Sequence, residues 1–233
     1  MMLNFQIPIE EGTMSGYFSG AAAARRPGIV LLQEIFGVND AMRLAADQFA
    51  AEGFVVLVPD LFAQIAPGIE LGYTDEERAT AIAYWQKLDE ARLRSDVAAA
   101  VRSLRAHPSC DGRVAAVGFC LGGKQAIIAA HAGLVDAAVS FYPVQVPAYR
   151  EMLGDLKCPV QIHVGDSDSH IPPEVQAMLA DAFAEGRPHE YHVHAGAGHG
   201  FYNSVRAFGY DPAAAERSHR AAVDFIHAAI AKP

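Results

Sequence analysis

The chain has 233 residues, of which 52% are hydrophobic and 19% charged, which fits one globular domain and excludes a disordered or fibrous chain. A formal net charge of −9 argues against nucleic acid and anionic membrane surfaces as partners, and any anionic substrate must then find a local cation. No apolar run is long enough to span a bilayer, the start MMLNFQIPIEEG has no basic or apolar signal region, and three cysteines without metal or disulfide spacing fit a reducing cytoplasm.

Phe5 to Ser19 reads as an antiparallel edge hairpin, and AAAARRP (Ala21 to Pro27) as a turn into the buried run GIVLLQ from Gly28. Asn39 offers a polar cap to a helix that ends at Gly53, and FVVLVP follows from Phe54. Thr74 opens T-D-E-E, a capping-box pattern. The stretch from there to about His107 is too long for one ordinary helix and predicts two or three pieces. RVAAVG from Arg113, a helix over Leu121 to His131, DAAVSFY from Asp136 and PVQIHVG from Pro159 come next. A helix over Pro173 to Glu185, EYHVHAG from Glu190 and a helix over Pro212 to Ala231 complete the alternation. Short, nearly continuous apolar runs predict strands buried on both faces of a parallel sheet. The expectation is α/β, one three-layer domain over residues 1–233 with a mostly parallel sheet flanked by helices. Ligands bind at the carboxyl ends of such strands.

The most specific local signal is RVAAVGFCLGGKQAIIAA, a strand, then Gly118-Phe119-Cys120-Leu121-Gly122-Gly123, then an apolar helix. This is G-x-S-x-G with Cys in place of Ser, a turn so sharp that small residues must flank the nucleophile on either side. It sets Cys120 beside a helix N-terminus, where the dipole favours a thiolate. The alternative is a buried structural cysteine, the role expected of Cys110 and Cys158, which lack elbow glycines. Downstream, Asp166 and Asp168 follow one strand and His199 follows another, flanked by Gly196, Gly198 and Gly200. Nucleophile, acid, histidine is the chain order of a hydrolase triad. Spacing alone does not separate Asp166 from Asp168, since either could serve an Asx turn or a cap. His192 and His194 alternate along a strand and read as structural or surface residues.

Together QEIFGVN, GFCLGG, GDSDSHIPPE and AGAGHGF resemble the dienelactone hydrolase (carboxymethylenebutenolidase) family of the α/β-hydrolase superfamily, over nearly the whole chain. The resemblance implies an α/β-hydrolase fold and a hydrolase that opens a lactone or ester through a thioester on Cys120, with no metal or organic cofactor. It selects Asp168, through Gly165, Asp168 and Pro172, as the partner of His199. It gives Glu34 the task of holding the resting thiol, and the backbone N–H groups of Leu121 and Ile35 that of an oxyanion hole. Phe36, Trp85 and Tyr142 are candidate pocket walls, with ordinary core aromatics as the alternative and Tyr142 evenly placed between the two.

Family members acting on dienelactone hold its carboxylate with two arginines. Arg78, seven residues before Trp85, matches one. The other position, four residues after His199, is the neutral Asn203, and Arg206 lies three residues beyond. A tyrosine expected three residues before the tryptophan is Ile82, with Tyr84 nearby. Charge-assisted contacts are roughly twice as strong as neutral ones, so a weaker grip on anions or a different substrate is expected. The partner is thus a small lactone or ester, with neutral esters and thioesters as the alternative and a redox-sensing or binding module built on Cys120 as a reading of another class. A monomer and a small homo-oligomer both fit.

Overall fold

The computed structural model describes residues 3–20, 24–184 and 188–231. Among these residues eight strands form a mixed sheet, and α-helices fill the connections. The chain divides inside its fifth strand into two compact units, Met1–Val114 and Ala115–Pro233.

The first unit runs β1 (Phe5–Ile9), β2 (Gly12–Ser19), β3 (Arg26–Leu32), α1 (Asp40–Ala51), β4 (Val55–Pro59), α2 (Asp75–Trp85), α3 (Glu90–Arg105) and the start of β5 (Cys110–Phe119). The hairpin β1–β2 is antiparallel, β2 pairs antiparallel with β4, and β4 pairs parallel with β3. All five residues of β4 are buried, as a strand covered on both faces requires. Where β3 and β4 end, buried polar side chains tie down the loops. Gln33 Oε1 accepts from Leu61 N at 3.1 Å, and Asp60 accepts from Phe62 N and Gly68 N. The helical stretch from Thr74 breaks in two because each half has its own cap. The Thr74–Glu77 capping box starts α2, and Asp89 accepts from Arg92 N to start α3.

The second unit continues with α4 (Leu121–His131), β6 (Ala137–Phe141), a 3₁₀ helix at Val146–Gly154, β7 (Val160–Gly165), α5 (Pro173–Ala182), β8 (Glu190–His194) and α6 (Pro212–Ile230). Here β5, β6, β7 and β8 pair in that order, every ladder parallel. Residues 121–130 of α4 are buried all round, the mark of a central helix. The Phe119 and Phe141 rings stack at 4.8 Å, and Phe141 stacks on His163 at 5.0 Å. Each such fully buried phenylalanine contributes about 1.5–3 kcal/mol through removal from water.

Two sequence expectations fall partly outside the described residues: Ala21–Ala23 of the turn before β3, and Glu185 at the expected end of α5, which stops at Ala182. Cys110 is not in a turn but opens β5, and is fully buried. The 3₁₀ stretch was not expected: it is two short turns broken at Tyr149, φ −132°, ψ 22°, too short for a periodic pattern to mark.

Candidate active site

The strand-to-helix turn after β5 is built around a steric demand. A Cβ at Gly118 would lie 2.0 Å from the Gly122 carbonyl oxygen, so only glycine lets α4 turn back so closely. Cys120 sits at φ 56°, ψ −111°, a backbone strain of order 1–3 kcal/mol for a side chain-bearing residue. Two bonds hold it there: Cys120 N donates to Phe141 O at 3.0 Å, and Lys124 N to Cys120 O at 3.2 Å. The cysteine side chain makes no capping bond, and the residue is 8% exposed. Leu121 opens α4, so its N–H is one of the first-turn donors that a helix leaves without an internal acceptor.

The loop after β7 separates the two candidate aspartates. Asp166 Oδ1 accepts from Gly196 N and Ser167 Oγ, bracing one loop against the next. Asp168, inside a turn closed by Ile171 N to Asp168 O, aims the other way. Its Oδ1 accepts from His170 N at 2.8 Å and its Oδ2 lies 2.8 Å from His199 Nδ1, with the carboxylate fully buried. Burial by itself lowers the His199 pKa. The charge of Cys120, hydrogen bonds with Asp168 and Cys120, and the charge of Asp168 together outweigh it and push the pKa up to about 10. His199 therefore stands between a sulfur and a carboxylate, able to accept a proton from one while held by the other. Cys110 and Cys158 differ: burial pushes both thiols up, that of Cys158 to about 12.

Aromatic rings close around the imidazole. Tyr142, fully buried at φ 37°, meets His199 edge-on at 5.0 Å, and His170 meets it at 4.5 Å. Tyr142 is thus a core residue that also packs on the imidazole. Sequence reasoning missed Tyr149 and His170. Tyr149, in the 3₁₀ helix, donates to Val144 O, and its hydroxyl pKa is raised by burial and by the charge of Cys120. Nothing in its irregular segment marks it. His170 could have been found, since it lies between Asp168 and Pro172 in the motif itself.

The remaining candidates lie apart along the chain. Glu34, Ile35 and Phe36 follow β3 and are only 2%, 8% and 8% exposed, and Phe36 packs edge-on against Tyr73. Arg78 is exposed on α2 and Trp85 is half-buried at its end. These five belong to the first unit. Asn203, in the second, is 3% exposed, and its Oδ1 accepts from Val205 N in the loop after His199. Among the described residues no group of three or more His, Cys, Asp or Glu is placed to hold a metal ion, and no helix is long and apolar enough to cross a membrane.

This geometry can be set beside known proteins. The model of the dienelactone hydrolase family matches residues 14–230. Carboxymethylenebutenolidases from Pseudomonas putida and Pseudomonas knackmussii are each 34% identical over 215 residues, covering 92% of this chain and 91% of theirs. A Klebsiella pneumoniae protein assigned as a dienelactone hydrolase superposes with a TM-score of 0.83 at 23% identity, covering 95% of both chains. The sheet with its flanking helices, the match over nearly all of the sequence and the named relatives agree: the chain belongs to the dienelactone hydrolase family of the α/β-hydrolase superfamily, and is a hydrolase of lactone or ester bonds.

Proposed function

We propose that this hydrolase opens lactones and small esters through a thioester on Cys120. Cys120 Sγ, its proton taken by His199, attacks the carbonyl carbon, and the oxyanion is held by the N–H of Leu121, with Ile35 N–H carried over from the family as the second donor. The C–O bond breaks, the imidazolium returns its proton to the departing alkoxide, and the acyl group stays on sulfur. Water, deprotonated by His199, then releases the acid and the thiol. Asp168 fixes the imidazole and stabilises its charged form. The observation that carries this reading is His199 Nδ1 2.8 Å from the buried Asp168 carboxylate, with Cys120 close enough for its charge to raise the imidazole pKa. The resting state carried over for Glu34 requires the Cys120–His199 contact to break.

Asn203 favours a neutral substrate, because it carries no charge to offer a carboxylate. A panel of dienelactone, neutral lactones and aryl acetates decides between the two classes. The mechanism is tested on the same panel with Cys120→Ala, expected to lose at least about a thousandfold in kcat. Acid-quenched wild type is expected to carry the acyl mass on the Cys120 peptide. Equal rates for wild type and variant would remove Cys120 from the reaction.

A further inference from the structure

We propose that Arg206 is a positioning residue that clamps the loop carrying His199. Sequence alone offers Arg206 as a stand-in cation for substrate, but its guanidinium is turned toward the protein's own backbone. Arg206 Nη1 donates to the His199 carbonyl oxygen at 3.3 Å. The same nitrogen lies 1.9 Å from where a Cβ on Gly200 would stand, and Gly200 has φ +79°. Glycine at 200 therefore satisfies two demands, a left-handed turn and a seat for the arginine. Phe208, more than half exposed, covers the outer face of the guanidinium, with Cζ 5.0 Å from the ring centroid. A planar, delocalised cation can stack on a ring and donate in its own plane at once, which an ammonium does poorly.

The rest of the loop is built to present that arginine. Asn203 N donates to Gly200 O and Asn203 Oδ1 accepts from Val205 N, so the chain doubles back over residues 200–205. Asp211 N then ties to Phe201 O, closing the loop before α6. Every bond in this set fixes backbone within two residues of His199 or the segment returning to it. The groups facing the imidazole itself are Cys120, Asp168, Tyr142 and His170, and the charge of Arg206 is not among the causes of its raised pKa. Arg206 thus acts through placement of the ring, not through its field. A misplacement of about 1 Å in a catalytic group is enough to cost up to a hundredfold in rate.

The inference rests on His199 being the base, and its test separates the two. In Arg206→Ala, kcat for a neutral aryl ester is expected to fall about tenfold with KM within about twofold, as for loss of a placement that matters only when the base acts. By NMR, the His199 imidazole titration is expected to move down from about 10 toward its ordinary value, because the Asp168 and Cys120 bonds are made less often. Arg206→Lys keeps a donor and is expected to recover part of both effects. It also keeps the test open should the alanine variant fold poorly. An unchanged His199 titration in both variants overturns the clamp. So does a rise in KM for anionic substrates alone, which would make Arg206 a substrate ligand. If Cys120→Ala proves fully active, the proposed mechanism falls, yet the titration still reads whether Arg206 holds His199.

Discussion

Asp168 and Asp166 are two residues apart and chemically identical, yet their hydrogen bonds give them different work. Asp168 Oδ1 is committed to His170 N, which leaves only Oδ2 for His199 Nδ1. In Asp168→Asn the carbonyl oxygen stays on His170 N, so the amide nitrogen must face the ring. Two donors cannot meet, and His199 Nδ1 becomes an acceptor with its proton moved to Nε2, where it can no longer take one from a thiol. The expected loss in kcat is about three to four orders of magnitude, the size found when a triad acid is exchanged for its amide. Asp166→Asn keeps an oxygen acceptor for Gly196 N and is expected to stay within about threefold, since a neutral oxygen still accepts a backbone bond. Steady-state rates of the two variants on one ester check both. Spacing alone left these aspartates equivalent and only the family motif chose Asp168, because which one faces His199 depends on the turn bonds at Gly165 and Ile171.

At the scale of elements, legibility followed burial. The runs beginning at Gly28, Phe54, Asp136 and Pro159 were readable as strands because a sheet covered on both faces leaves no polar position to break them. The 3₁₀ helix and the Cys110 end of β5 were not, since their conformations depend on tertiary contacts. Under β7 and β8 lies a polar chain that periodicity also could not show. Gln161 donates to Glu190 Oε2, so its own oxygen faces His163 Nε2, whose proton must point that way. His163 Nδ1 is then the acceptor and His194 Nε2 the donor, 3.1 Å apart. His163 must therefore be neutral, and burial, which lowers its pKa and takes that of His194 to about 4, keeps His194 neutral as well. Phe141 lies flat on His163 and on Phe119. Phe141→Ala leaves a cavity under both rings and is expected to destabilise the fold by about 3–5 kcal/mol. Urea unfolding should show a lower midpoint at unchanged slope.

For the molecule as a whole, these histidines set opposite limits on stability. His163 and His194 have folded pKa values below the ordinary 6.5, so the unfolded chain binds more protons on acidification. Their contribution is complete above pH 6.5 and is lost as pH falls, that of His194 toward about 4. His199 has a folded pKa above the ordinary value, so its contribution is complete below pH 6.5 and is lost as pH rises toward about 10. Stability is therefore expected to peak between about pH 6 and 7, with each histidine adding a limiting slope of about 1.4 kcal/mol per pH unit on its own side. The variants separate the limbs. His194→Gln retains a side-chain N–H for His163 Nδ1 but no longer titrates, so the acid limb between pH 6.5 and 4.5 should lose the His194 share of its slope and keep that of His163, while the alkaline limb stays. His199→Gln should flatten the alkaline limb up to about pH 8.5, above which the buried Cys110 and Cys158 thiols add their own slope, and leave the acid limb. Urea unfolding free energies across pH 4 to 10 read both. A full wild-type acid slope that persists in His194→Gln would place the acid sensitivity on His163. A limb confined below about pH 4.5 would place it on carboxylates such as Glu77 and Asp155, whose hydrogen bonds hold their pKa values below the usual range and which in the unfolded chain protonate at lower pH than histidine.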